Sequence, residues 1–123
     1  MLSKSDIFGY KHSKEYSKSV AYFSMEFAID QSLKIYSGGL GFLAGSHMRS
    51  AYELKQNLVG IGMLWKYGYY DQVRSINGAM KAEYVQKYYS FLTDTGIVFP
   101  VEVHSSTVYV KVFLLKPEVF GSA

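Results

Sequence analysis

The sequence contains no cysteine, which excludes disulfide bonds and thiolate metal sites. Its three histidines, His12, His47 and His104, lack the spacing of a metal-binding motif. The start of the chain has no apolar segment typical of a signal peptide, and no apolar run approaches the roughly 18 residues that a membrane-spanning helix needs. We therefore expect a cytoplasmic protein with no metal and no membrane partner.

Charge is also sparse and well mixed. Charged residues make up 19% of the 123 residues and hydrophobic residues 49%, which is typical of a globular domain. The net charge is only +3, and the basic residues are dispersed along the chain. The densest group alternates with serine and tyrosine near the start: Lys4, Lys11, Lys14 and Lys18. We interpret residues 1–18 as a polar, solvated lead-in and predict no nucleic-acid partner.

Two apolar runs and a helical pattern between them predict a βαβ unit. The runs Val20 to Phe27 and Leu58 to Trp65 are almost continuously apolar, as in parallel strands that are covered on both faces. Apolar residues recur at helical spacing from Leu40 to Leu54, and His47 falls on that face, so we expect it in the core. Gly60 and Gly62 share one face of the second strand, where we expect another backbone to approach closely.

The second half of the chain predicts hairpins. Asn77-Gly78 lies between strand-like runs at 69–75 and 79–85 and is a strong hairpin signal. Two further strand-like runs, 101–104 and 107–115, flank a turn that we place at Ser105-Ser106. Residues 86–100 are ambiguous. The pattern predicts an α/β fold in which residues 19–123 form one domain with a β-hairpin extension.

Three glycines lie within four positions where the predicted helix begins: Gly38, Gly39 and Gly41. Backbone N–H groups at a helix start are unpaired and carry the positive end of the helix dipole, so glycines there let an anion such as phosphate approach. The alternative is a turn that packs tightly on a sheet, and the pattern alone leaves both open. The dinucleotide fingerprint and the nucleotide P-loop both fit the spacing badly.

Two further segments lie near the same end of the predicted sheet. Glu26 closes the first strand at its carboxyl end, where open α/β sheets place ligands, although an exposed glutamate without a function is the plain alternative. Lys66 to Gln72 leaves the second strand there and offers tyrosine rings that suit sugars. Because the chain has twelve tyrosines, part of that cluster is expected by chance.

Three ordered segments resemble the N-terminal part of the α-glucan (glycogen and maltodextrin) phosphorylases in their short bacterial form. They are A-Y-F-S-M-E-F at 21–27, I-Y-S-G-G-L-G-F-L-A-G-S-H at 35–47 and L-V-G-I-G-M-L-W-K-Y-G-Y-Y-D-Q at 58–72. The resemblance implies a GT-B glycosyltransferase fold with two Rossmann-like domains, of which residues 19–123 would form an incomplete N-terminal one. It also implies transfer of glucose from an α-1,4-glucan to phosphate, giving glucose 1-phosphate, with pyridoxal 5'-phosphate bound as a Schiff base.

The resemblance assigns roles to five positions of this chain. The glycine loop of the family lies against phosphate and the reacting glucose, which implies substrate or phosphate binding by Gly38, Gly39, Leu40 and Gly41. The N–H of Gly39 is the expected phosphate donor, and Glu26 corresponds to a catalytic carboxylate of the active site. Preorganised N–H groups of this kind stabilise charge that develops in a transition state.

The chain departs from the family in ways that limit these expectations. Ser46 stands where the short-form phosphorylases have an aspartate, so a negative charge beside the helix start is lost. The cofactor lysine, the basic residues for substrate phosphate and the second domain would lie beyond Ala123, and no lysine here is assigned to the cofactor. We therefore expect an N-terminal fragment that is inactive alone, binds no cofactor by itself and self-associates through uncovered strands.

Two other functions compete with the phosphorylase interpretation. The glycogen and starch synthases are related GT-B enzymes, but their loop typically reads Lys-Thr-Gly-Gly-Leu-Gly-Asp. This chain has Tyr36-Ser37 before the glycines and Phe42 after them, so both charges are missing. The other alternative is a non-catalytic module that binds glucan or another protein chain through its tyrosines and its terminal hairpin.

Overall fold

The computed structural model describes residues 7–120, which group into two compact units. One unit comprises residues 12–89, and the other combines residues 7–11 with 90–120. The described residues contain the α-helix Gly39–Glu53, helical structure at Ile7 and Phe8, and three two-stranded sheets, so they form a small α/β fold as predicted. Lys4 and the rest of residues 1–6, which belong to the predicted polar lead-in, lie outside the described residues. The division of the chain at residue 18 stays a prediction.

The predicted βαβ unit is confirmed. Strand β1 spans Val20–Phe23, helix α1 spans Gly39–Glu53 and strand β2 spans Leu58–Ile61. β1 and β2 pair in parallel, with Val20 opposite Leu58. Both strands are shorter than predicted. The N–H of Ser24 still donates to the carbonyl of Ile61 at 3.1 Å, and the hydroxyl of Ser24 donates to the carbonyl of Glu26 at 2.8 Å, which forms a local turn just after β1.

The helix packs through its small residues, contrary to the predicted leucine-rich face. Its buried residues are Gly41, Ala44, Gly45 and Ala51. Leu40 and Leu43 are 54% and 69% exposed, and His47 is exposed and meets the ring of Tyr22 edge to face at 4.9 Å. The prediction of a core histidine was therefore wrong. Small residues face inward because the segment that follows β1 crosses α1 at very short distance.

The glycines of the second strand accommodate an aromatic ring. A Cβ atom at Gly62 would lie 2.8 Å from Cδ2 of Phe27, and one at Gly60 would lie 3.0 Å from the sulfur of Met48. Phe27 is only 5% exposed and forms the core of this unit with its neighbours. The prediction that another backbone approaches both glycines was therefore wrong at Gly60. Side chains fill the space there, and at Gly62 the carbonyl oxygen of Ser24, at 3.3 Å, lies farther away than the ring of Phe27. By contrast, Phe23 in β1 is 70% exposed, so the described residues do not cover both faces of that strand as predicted.

The predicted hairpin at Asn77-Gly78 is confirmed. Strands β3 (Asp71–Arg74) and β4 (Met80–Glu83) pair in antiparallel fashion. The N–H of Gly78 donates to the carbonyl of Ser75 at 2.9 Å, and Gly78 has a φ of +82°. This is a three-residue connection in which a glycine in the left-handed region completes the turn.

The unit that contains residues 90–120 is built on a longer hairpin. Strand β5 spans Thr93–Val103 and strand β6 spans Ser106–Leu114. The turn falls at His104-Ser105, one residue earlier than predicted, and both residues have positive φ, 47° and 63°. The second half of the ambiguous segment 86–100, from Thr93 onwards, belongs to β5. In residues 7–120 no helix combines the length and the apolar character required to cross a bilayer.

Candidate functional site

Glu26 lies just beyond the carboxyl end of β1 and contacts the start of the glycine segment. Its carboxylate accepts a hydrogen bond from the N–H of Ser37 at 3.3 Å and another from the hydroxyl of Ser37 at 3.1 Å. The hydroxyl of Tyr69 donates a short hydrogen bond to the same carboxylate. Three segments that are distant in sequence therefore meet at one side chain, in the unit that contains residues 12–89.

These hydrogen bonds set the ionisation of the pair. The hydrogen bond from Tyr69 lowers the pKa of Glu26 below its usual range, partial desolvation opposes this, and donors at Ser37 and Gly38 lower it further. The same interaction with Glu26, helped by desolvation, raises the pKa of Tyr69. The proton therefore stays on the tyrosine oxygen at neutral pH, and Glu26 is an ionised acceptor without a proton to donate.

The glycine segment forms the start of α1. Gly38 is the N-cap residue and offers no side-chain cap, and the N–H of Phe42 donates to its carbonyl at 3.2 Å. The N–H of Ala28 donates to the carbonyl of Gly41 at 2.9 Å, which ties the segment after β1 to the first turn. The first N–H groups of any helix have no partner within the helix and point along its dipole. Gly39, Leu40 and Gly41 occupy those positions.

The glycines differ in what surrounds them. A Cβ atom at Gly41 would lie 2.6 Å from Cβ of Tyr36 and 3.3 Å from Cβ of Glu26. One at Gly45 would overlap the carbonyl oxygen of Ala28 and lie 2.8 Å from its carbonyl carbon. A Cβ atom at Gly38 or Gly39 would meet nothing within 4 Å. We call Gly41 and Gly45 the packed glycines, and Gly38 and Gly39 the open glycines.

The structure brings the predicted site residues together. Glu26 contacts the segment that leads into the glycines, and Gly41 packs against it. The side chain of Leu40 is 54% exposed, so its backbone rather than its side chain belongs to the helix start. Sequence reasoning missed Ser37, and it assigned the tyrosines of residues 66–72 to sugars, whereas Tyr69 binds Glu26. A hydroxyl residue directly before a glycine pair was the available signal for Ser37.

Several known proteins are similar in sequence to parts of this chain. No protein-family model matches the chain. An uncharacterized protein of Methanocaldococcus jannaschii is 57% identical over 105 residues, which cover 85% of this chain and 20% of that protein. A maltodextrin phosphorylase of Thermococcus litoralis is 48% identical over 58 residues, which cover 47% of this chain and 7% of the enzyme. A glycogen phosphorylase of Mycobacterium tuberculosis is 44% identical over 59 residues, which cover 48% of this chain and 7% of the enzyme.

The resemblance to glycogen and maltodextrin phosphorylases is confirmed. It extends over about half of this chain at 44–48% identity for the two enzymes named above. The chain spans only a small part of the length of the relatives that it matches, at most 20% among these three. The roles predicted for Glu26 and the glycine loop stay predictions, since these comparisons concern whole segments.

Proposed function

We propose that this chain forms the part of an α-glucan phosphorylase that faces the substrate phosphate. Such an enzyme is a glycosyltransferase that moves glucose from the end of an α-1,4-glucan to phosphate and releases glucose 1-phosphate. The observation that carries the proposal is the similarity to named glycogen and maltodextrin phosphorylases over about half of the chain. The parallel βαβ unit is compatible with a Rossmann-like domain of a GT-B enzyme.

The geometry of the helix start supports the phosphate role. Space lies open over Gly38 and Gly39, and the first N–H groups of α1 lie beside it. An anion at a helix start is stabilised by unpaired N–H groups and by the helix dipole. In the proposed reaction these donors would hold the negatively charged phosphate in place without reorganisation at the moment of transfer. The phosphate would then lie close to the glucosyl ring, on which positive charge develops as the glycosidic bond breaks.

Pyridoxal 5'-phosphate is part of the proposed activity. Among the described residues, the side chains that meet around Glu26 are those of Ser37 and Tyr69, together with backbone groups, and none of these forms a Schiff base. Bound by a lysine outside this cluster, the cofactor would supply a phosphate that relays protons.

The test is phosphorolysis by the full-length gene product. Supplied with a maltodextrin, inorganic phosphate and pyridoxal 5'-phosphate, it should release glucose 1-phosphate, measured by a coupled dehydrogenase assay. The isolated 123-residue chain should release none and should form no stoichiometric pyridoxyl-lysine adduct after borohydride reduction. Absence of glucose 1-phosphate release by a folded, cofactor-loaded protein would contradict the proposal, and glucan extension from a sugar nucleotide would favour a synthase.

We also propose that the isolated chain associates with itself. The hairpin of β5 and β6 exposes apolar side chains, among them Val108 at 47% and Tyr109 at 73%. Hydrophobic strands with open edges are templates for pairing with another strand. Light scattering after size exclusion should show dimers or larger species at tens of micromolar, whereas a well-dispersed monomer would contradict this part of the proposal.

A further inference from the structure

The carboxylate of Glu26 joins three segments of the chain that approach the glycine loop from different directions. Glu26 follows β1, Ser37 directly precedes the open glycines, and Tyr69 follows β2. The partners of Glu26 are 11 and 43 residues away in sequence, so these contacts exist only in the folded unit. We call these hydrogen bonds of Glu26 with Ser37 and Tyr69 the junction. Because the junction lies directly before the flexible glycine loop, it restricts the conformations of that loop.

We propose that Glu26 is a positioning residue, which together with Tyr69 and Ser37 holds the turn before α1 so that the N–H group of Gly39 faces the phosphate. The inference rests on the proposed function for the identity of the anion. The geometry of the junction itself does not depend on it. The proposal gives Glu26 a role through the loop, in place of the direct catalytic role that the resemblance implies.

The loop needs such a restraint. Two adjacent glycines leave the backbone free to adopt many conformations, and ordering them costs conformational entropy. Gly38 is an N-cap without a side-chain hydrogen bond, so α1 lacks the capping contact that usually fixes a helix start. The two hydrogen bonds of Ser37 to Glu26 fix the residue immediately before it.

Glu26 accepts from the backbone of Gly38 but does not lie in the direction of the space that is open over Gly38 and Gly39. Glu26 lies on the side of the loop towards which the Cβ of Gly41 would point, where that atom would be 3.2 Å from Oε2. The Cβ directions of Gly38 and Gly39 lead into open space instead. Hydrogen bonds from two hydroxyls and from backbone N–H groups disperse the charge that remains.

Removing the hydroxyl of Tyr69 tests the junction with the smallest change of shape. Hydrogen–deuterium exchange, followed by mass spectrometry on the full-length gene product, would compare peptides across residues 34–42 in wild type, Tyr69→Phe and Tyr88→Phe. Tyr88 is 81% exposed and provides the matched control. We expect exchange in these peptides to become about tenfold faster in Tyr69→Phe, to stay unchanged in Tyr88→Phe, and to stay unchanged elsewhere in both variants.

Kinetics separate positioning from direct catalysis. Tyr69→Phe should raise the KM for phosphate about tenfold and leave the pH dependence of kcat unchanged, because it loosens the loop without removing a reacting group. Glu26→Gln should likewise raise the KM for phosphate about tenfold and leave the pH dependence of kcat unchanged. Unchanged exchange in Tyr69→Phe, or loss of kcat in Glu26→Gln with a normal KM and normal exchange, would overturn the proposal. If exchange responds as expected but no glucose 1-phosphate forms in wild type, the proposed function fails and the junction stands.

Discussion

The packed and the open glycines of α1 lie within eight residues of one another and have different surroundings. Gly41 and Gly45 face Tyr36, Glu26 and the backbone of Ala28, where a single extra carbon atom would overlap existing atoms. Gly38 and Gly39 face open space and have backbone angles outside the region reserved for glycine. The fold thus explains the absence of a side chain at the packed glycines and leaves it unexplained at the open ones. Under the proposed function, the approach of phosphate would supply that reason.

The largest effect on stability is expected at Gly45. In Gly45→Ala the new methyl group would overlap the carbonyl oxygen of Ala28, and backbone atoms cannot rotate away as a side chain does. Overpacking of this kind costs about 3 kcal/mol at the upper end of its usual range, more than alanine gains in helix propensity. Urea unfolding of the full-length gene product should show this loss. A midpoint equal to that of wild type would mean that the helix does not cross Ala28 closely.

A smaller loss is expected at Gly41. The methyl group of Gly41→Ala would meet Cβ of Tyr36 and Cβ of Glu26, and the Tyr36 segment is a loop that has some room to shift. We expect a loss of about 2 kcal/mol in the same unfolding experiment. Because the change also pushes on Glu26, exchange in peptides across residues 34–42 should become faster. Stability and exchange that both match wild type would contradict the close packing of this glycine.

The smallest effect is a dependence of stability on acid pH. The pKa of Glu26 is lowered in the folded state, so its contribution is fully present above the ordinary value of 4.5 and is lost as pH falls through the lowered folded value. Asp30 and Asp94 also have lowered pKa values and add losses of their own. Wild type should therefore lose more stability than Glu26→Gln between pH 6 and about pH 3. Parallel stability curves for the two proteins would show that the junction is absent.

The sequence predicts the order of elements better than it predicts their packing. Two apolar runs around a helical pattern were sufficient to predict the βαβ unit, and Asn77-Gly78 was sufficient to predict the first hairpin. The end of β1 escaped prediction because a local hydrogen bond of Ser24 forms a turn just after the strand. The buried face of α1 escaped it because Leu40 and Leu43 look like core residues, whereas a close backbone crossing selects small ones.

The sequence predicts the residues of the candidate site but not the long-range hydrogen bond between Tyr69 and Glu26. A glycine cluster at a helix start and a carboxylate at a strand end are both visible as local patterns, and the structure brings them together. The hydrogen bond between Tyr69 and Glu26 joins residues 43 positions apart and has no local signature. With twelve tyrosines in the chain, nothing in the sequence singles out Tyr69.

The most direct test of the different roles of the two glycine pairs is Gly39→Val, measured for activity and stability in one preparation of the full-length gene product. The side chain would enter the open space where phosphate is proposed to bind, so kcat/KM for phosphorolysis should fall about a hundredfold, as when one oxyanion donor is lost. The free energy of unfolding should change by less than about 1 kcal/mol, since surface changes away from packed contacts are small. Near-normal phosphorolysis by the folded variant, or unfolding as severe as in Gly45→Ala, would contradict the account.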